Sequence, residues 1–306
     1  MNPDPVRLRQ HVERLAQPRG RRHAAEAMQR AEAYVTGQLA AAGWPVTRRP
    51  FTVPGAAAAN LLAERPGTAD GPVYLVGAHL DTVPDSPGAD DNASGVACLL
   101  ELARILPADE NRVLLAVFDE EETGLIGAQV LANELTSAGQ RKLAAVIVYE
   151  CVGYFPGEPG TQTLPPGAAL VYPKQVRRIR RRDNRGDWLL LAYRQSARSL
   201  VRRLEAALAQ RSGPDAVIHA RDPLDLPALG PALRGYPQLS GHFARSDHKP
   251  FWDRGVPAVQ ITDTANFRNP HYHQPTDLPD TLDYTRMADL VAATAAVLTT
   301  RQSADG

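Results

Sequence analysis

Three short, uninterrupted apolar runs, at residues 73–76, 113–118 and 144–149, with a fourth of the same buried-strand pattern at 256–261, constrain this chain more than any other feature. A strand with one wet face alternates apolar and polar residues, whereas a strand covered on both faces reads as a continuous run of this length. Helix-length segments, 94–106 and 126–138, separate the first three runs. Strands alternating with helices imply an α/β fold: a mixed, largely parallel central sheet flanked by helices on both faces. Ahead of the sheet, residues 22–44 lack proline and space Ala27, Ala31, Val35 and Leu39 four apart, one face of a helix that Gly43 and Pro45 end. Short strands are expected at 46–53 and 60–63, around the Pro54-Gly55 turn. Ser94 is placed to cap the helix after the first run. A closing helix over 284–300 carries Met287, Leu290, Val291, Val297 and Leu298 on one face, and 302–306 reads as a frayed end.

Residues 155–245 break this rhythm with many prolines, a basic run and weak periodicity, and only 200–209 looks helical. At 306 residues the chain is near the upper size of one hydrophobic core. The expectation is therefore a single domain over 1–306, with 155–245 an elaborated loop region inside it. Lys+Arg and Asp+Glu balance at 34 each, which removes a global electrostatic case for nucleic acid or an anionic membrane as partner. No stretch approaches the ~18 apolar residues of a membrane span. The start, Met1-Asn2-Pro3-Asp4-Pro5, lacks the pattern of a secretory signal. Cys98 and Cys151 make no disulfide framework. These features point to a soluble, cytoplasmic protein; the sequence is silent on oligomeric state.

Carboxylates and imidazoles gather where the apolar runs stop. His79 and Asp81 follow the first; Asp90, Asp91 and Asn92 precede its helix; Asp119, Glu120, Glu121 and Glu122 follow the second. Glu150 follows the third, and His271, Tyr272 and His273 follow the fourth. The carboxyl ends of strands in an open α/β sheet form one rim, where ligands bind. Carboxylates crowded on such a rim repel one another and lose hydration, and basic residues are scarce around these segments, so cations are needed. Aspartate and glutamate oxygens with neutral imidazoles suit zinc. Two ions about 3.5–4 Å apart, sharing a carboxylate, clamp both an attacking water and a carbonyl. His79 and Asp81, two apart on an extended segment, share a side, so Asp81 can hold the imidazole ring.

The segments His79-Leu80-Asp81, Gly88-Ala89-Asp90-Asp91-Asn92-Ala93-Ser94-Gly95, Glu121-Glu122-Thr123-Gly124-Leu125-Ile126-Gly127 and Tyr272-His273 resemble, in order, the motifs of the co-catalytic di-zinc aminopeptidases. That family includes bacterial leucyl aminopeptidases and aminopeptidase Y. The resemblance runs from about residue 60 to 285, apart from 155–245, and implies a zinc-exopeptidase-like fold. It further implies two Zn2+ per chain and a metalloprotease that removes N-terminal residues from small peptides. Residue by residue, it implies His79 and Glu150 on one zinc, Glu122 and His273 on the other, and Asp91 bridging both, with the peptide bond after Asp91 cis. Glu121 would be the general base and Tyr272 a donor to the developing oxyanion. The family often has aspartate where this chain has Glu150.

Other residues read more plainly. Asp90 suits a turn, Glu120 a structural or exposed position, Cys151 a small buried thiol, and His248 the pocket or its surroundings. Arg177, Arg178, Arg180, Arg181 and Arg182 read as a solvated face, with a site for an acidic substrate as the other reading. Three other functions share the resemblance. A di-zinc carboxypeptidase or dipeptidase would carry a separate sheet-forming lid domain. A glutaminyl cyclase-like acyl transfer would use one zinc on the same fold. A non-catalytic binding domain would have eroded ligands, whereas all five positions here keep ligand chemistry.

Overall fold

The computed structural model describes residues 1–65, 73–108, 112–137, 142–227, 229–233 and 241–300. Its strands are β1 (Val46–Val53), β2 (Ala56–Glu64), β3 (Val73–His79), β4 (Val113–Phe118), β5 (Leu143–Glu150), β6 (Leu189–Tyr193), β7 (Val217–Arg221) and β8 (Ala258–Thr262). They join one mixed sheet in the order β1-β2-β4-β3-β5-β8-β6-β7. The four apolar runs are its centre: β4, β3, β5 and β8 lie side by side and parallel. The hairpin β1–β2 adds an antiparallel edge through β2 and β4.

Two apolar layers explain why those runs are apolar at every position but Gln260. Val76 and Ala78 of β3 face a layer with α1 (Pro5–Leu15), α2 (Ala25–Ala41), α3 (Gly95–Ile105), α7 (Arg198–Ser212) and α10 (Tyr284–Thr299). Val73 and Leu75 face the opposite layer, with α4 (Ile126–Thr136) and the short α9 (Lys249–Asp253). Both faces are dry, so each residue of the run is apolar whichever way it points. Asp4 starts α1 by accepting from the Val6 N–H, and Asp283 starts α10 by accepting from the Thr285 and Arg286 N–H groups. Ser94, expected as a cap, makes no such bond; its hydroxyl donates to the Asp90 carbonyl and accepts from the Val152 N–H.

Residues 155–245 hold more regular structure than their composition suggests. Alongside α5 (Ala168–Val171), α6 (Pro173–Arg180), α7 and α8 (Leu229–Leu233), this stretch supplies β6 and β7. Both extend the main sheet: β6 pairs antiparallel with β8 and parallel with β7. Trp188, Ile218 and Ile179 of α6 pack into a small third cluster over that edge. The 302–306 segment, read as frayed, lies outside the described residues.

Candidate metal centre

The strand ends bring the acidic and imidazole groups together. His79 ends β3 opposite Phe118 of β4, so the Asp119–Glu122 turn leaves the sheet beside it. Glu150 ends β5. The loop after β3 returns Asp91 to the same rim, and the Asp91–Asn92 peptide bond is cis. Gly88, at φ 60°, makes that return: a Cβ there would collide with the Asp91 carbonyl.

Two three-residue clusters result, one of His79, Asp91 and Glu150 and the other of Asp91, Glu122 and His273. The His79 Nε2 lies 3.2 Å from Asp91 Oδ1 and 3.4 Å from Glu150 Oε1. The His273 Nε2 lies 3.0 Å from Asp91 Oδ2 and 3.3 Å from Glu122 Oε2. Despite these distances, Asp91 Oδ2, Glu122 Oε1 and His273 Nε2 are buried without a hydrogen-bond partner among the described residues. Donor atoms close together but not aimed at one another is the arrangement of ligands that converge on a common point. The first cluster is buried; in the second, Glu122 and His273 are half-buried.

Supporting groups fix this geometry. The Asp81 carboxylate accepts from the Glu121 and Glu122 N–H groups, both at 3.1 Å, and so pins the acidic turn rather than chiefly the imidazole. His79 Nδ1 meets the Asp81 carbonyl oxygen at 3.1 Å and its carboxylate at 3.6 Å. Asp277 accepts from the Asp90 and Asp91 N–H groups, holding the bridging loop. The Asn92 amide donates to the Tyr149 carbonyl and accepts from the Cys151 N–H, tying the same loop to the end of β5. Asp90, in the same loop, is buried and accepts from the Gly153 N–H and the Asn269 amide. Glu120 is buried against Arg22.

The electrostatics show how short of positive charge the cluster is. Burial, reinforced by Asp91, pushes the Glu122 carboxyl up to about 7 against the pull of His273. Burial likewise carries Glu121 well above its ordinary value; His79 opposes this and Glu150 adds to it. Burial should lower both imidazoles, yet the surrounding carboxylates win: Glu150 and Glu121 raise His79, and Asp91 and Glu122 raise His273 to about 10. Groups so disposed compete for any cation on offer.

Two groups escaped the sequence reading. Asp247, fully buried, has neither carboxylate oxygen hydrogen-bonded among the described residues, and burial pushes it well above its usual range. Its neighbour Ser246 is also fully buried and donates to Glu150 Oε2 at 2.7 Å. The expected scarcity of basic residues is corrected by the turn between α1 and α2. Arg19 is buried beneath the site, donating to the carbonyls of Leu15, Leu80, Pro87 and Gly88, while Arg21 pairs with Asp119.

Tyr272 stacks on His273, ring centres 3.9 Å apart, with its hydroxyl 3.4 Å from an Arg245 nitrogen. Its neighbour His271 turns away to Thr276. His248 bonds the Phe243 carbonyl and packs edge-on against Trp252, so it is a core imidazole, pushed down to about 3 by burial. Cys151 is a free, buried thiol. Glu150 and Tyr272 also border an apolar cavity of about 150 Å3, walled by Val176, Ile179, Trp188 and Ile218. On the other side, Glu121, Glu122, Tyr272 and His273 line an open cleft.

Comparison with known proteins agrees with this architecture. The model of peptidase family M28 matches residues 60–185 and 227–298, more than half of the chain. The chain is 32% identical over 276 residues to the uncharacterized protein YfbL of Escherichia coli, covering 86% of this chain and 77% of that one. It is 35% identical over 124 residues to leupeptin-inactivating enzyme 1 of Streptomyces exfoliatus, 39% of this chain but only 28% of that longer protein. Among solved structures, an aminopeptidase from Aneurinibacillus superposes with a TM-score of 0.66 at 16% identity, over 96% of this chain and 93% of its own. The glutaminyl cyclase of Tannerella forsythia superposes with a TM-score of 0.68 at 18% identity, over 99% and 100%. At such identities the likeness is one of fold.

Proposed function

This chain belongs to peptidase family M28, metal-dependent hydrolases of peptide bonds, and from that membership we propose that it is a di-zinc aminopeptidase acting on small peptides. The observation that carries the reading is the pair of clusters sharing Asp91, in which ligand-type atoms converge within reach of one another and Asp91 Oδ2, Glu122 Oε1 and His273 Nε2 are buried without a hydrogen-bond partner among the described residues. His79 and Glu150 would hold one zinc, Glu122 and His273 the other, with Asp91 between them. When bound, the ions would supply the positive charge that polarises a scissile carbonyl and acidifies a water.

The protein's own groups do the rest. Glu121, its backbone anchored on Asp81, accepts the proton of the attacking water and delivers it to the leaving amine. Burial raises its proton affinity, the direction that favours taking up a proton. The Tyr272 hydroxyl, held over His273 by ring stacking, donates to the oxyanion that forms as the carbonyl is attacked. The apolar cavity beside Glu150 accepts the side chain of the N-terminal residue. An apolar cavity of about 150 Å3 admits a benzene-sized group.

Two features weigh against the neighbouring readings. A cyclase-like transfer on one ion would leave one of the two clusters without its own charge partner. A carboxypeptidase with a separate lid sheet does not fit strands β6 and β7, which extend the main sheet. The test is hydrolysis of a panel of aminoacyl-p-nitroanilides. We expect activity on apolar N-terminal residues, loss on chelation, and recovery with zinc. Cleavage only of N-acetylated peptides, or activity untouched by chelator, would overturn the reading.

A further inference from the structure

Glu150 has one more rotatable bond than an aspartate in its place, so its carboxylate needs an outside restraint to present a fixed oxygen. Ser246 supplies that restraint. Its backbone is set at the start of α9, where the Lys249 N–H bonds the Ser246 carbonyl at 3.0 Å, and its side chain is fully buried. The hydroxyl meets Glu150 Oε2 at 2.7 Å, close to the ~2.5–2.7 Å of a charge-assisted O–H···O bond. A carboxylate only accepts, so the serine is the donor. Glu150 Oε1 is the oxygen left facing His79 Nε2, at 3.4 Å, with the Cys151 thiol 3.5 Å behind it.

Resting on the di-zinc reading, we propose that Ser246 is a positioning residue: it occupies Oε2 of Glu150, so that this side chain offers a single oxygen, Oε1, to the ion in the His79 cluster. Without the hydroxyl, Oε2 is a buried acceptor lacking its donor, and the carboxylate must rotate or draw in water. Ser246 has no bond to Glu122 or His273, so the second cluster keeps its geometry. Loss of such a supporting bond typically costs about 10–100-fold in metal affinity.

The experiment is titration of the metal-free protein with Co2+, followed by visible absorption. Wild type should take up two ions. S246A should weaken one binding event about 10–100-fold and alter its d–d spectrum, leaving the other event within about twofold. In an E150D background, where the carboxylate is drawn back from Ser246, the same S246A change should cost far less. Melting of the metal-free protein checks that S246A folds; should it not, S246C, nearly isosteric but a weak donor, must show the same one-sided loss. Wild type taking up two ions, with S246A identical to it or weakened equally at both sites, would refute the positioning role alone. Wild type taking up fewer than two would refute the di-zinc reading and this proposal with it.

Discussion

At the residue scale a few side chains sit in surroundings that conflict with their ordinary chemistry. Glu121 is the clearest, a buried carboxyl among other carboxylates that lies outside both ligand clusters. Replacing it with glutamine keeps the shape and removes the base. E121Q should lower kcat about 10²–10⁴-fold while metal content by elemental analysis stays at the wild-type level; retained turnover would remove Glu121 from its role. His79, Glu121, Glu122 and Glu150 stood out in the sequence because each sits at or just beyond the end of an apolar run, while Asp91 and His273 lie in the loops that follow such runs. Ser246 and Asp247 were not assigned a part: the segment Ser246-Asp247-His248 stood out through its imidazole, and the Ser246 bond to Glu150 spans 96 residues of sequence. Arg19 was hidden for a related reason: it serves the site through backbone carbonyls rather than through a carboxylate partner that a charge pattern would suggest.

At the element scale, periodicity found what packing on both sides dictates. Strands β3, β4, β5 and β8 announce themselves because nearly every residue in them is buried. Strand β6 follows the same rule over Leu189–Tyr193 but is set among prolines and arginines, which obscured a five-residue signal. Helix α1 carries a test of how burial sets protonation. His11 lies on its buried face with Nδ1 2.7 Å from the Tyr34 hydroxyl. Burial, helped by Arg7 and opposed by Glu101, pushes its pKa down to about 4 from 6.5. The unfolded chain therefore binds the extra proton first, between pH 6.5 and about 4. The His11 contribution is fully present above pH 6.5 and is lost as pH falls through that window. Its size is at most about 3 kcal/mol. Chemical denaturation of wild type and H11Q across pH 4–7 should show a steeper acid loss in wild type; parallel curves would contradict this.

At the scale of the whole molecule, one sheet sets out the division of labour. Its parallel centre delivers the acidic and imidazole groups at one rim, and its far edge, β6 and β7 with α6, walls the apolar cavity beside them. On the function proposed above, chemistry and side-chain selection would come from different parts of the chain, which is why the motifs spoke to reaction type and not to preference. No helix of the described residues is long and apolar enough to cross a membrane. Two ions sharing Asp91, as proposed, would show directly in the metal stoichiometry. Elemental analysis should find two zinc ions per chain in wild type, one in H273A, and neither firmly held in D91A. A single ion in wild type, or a D91A variant that keeps one at undiminished affinity, would contradict the account.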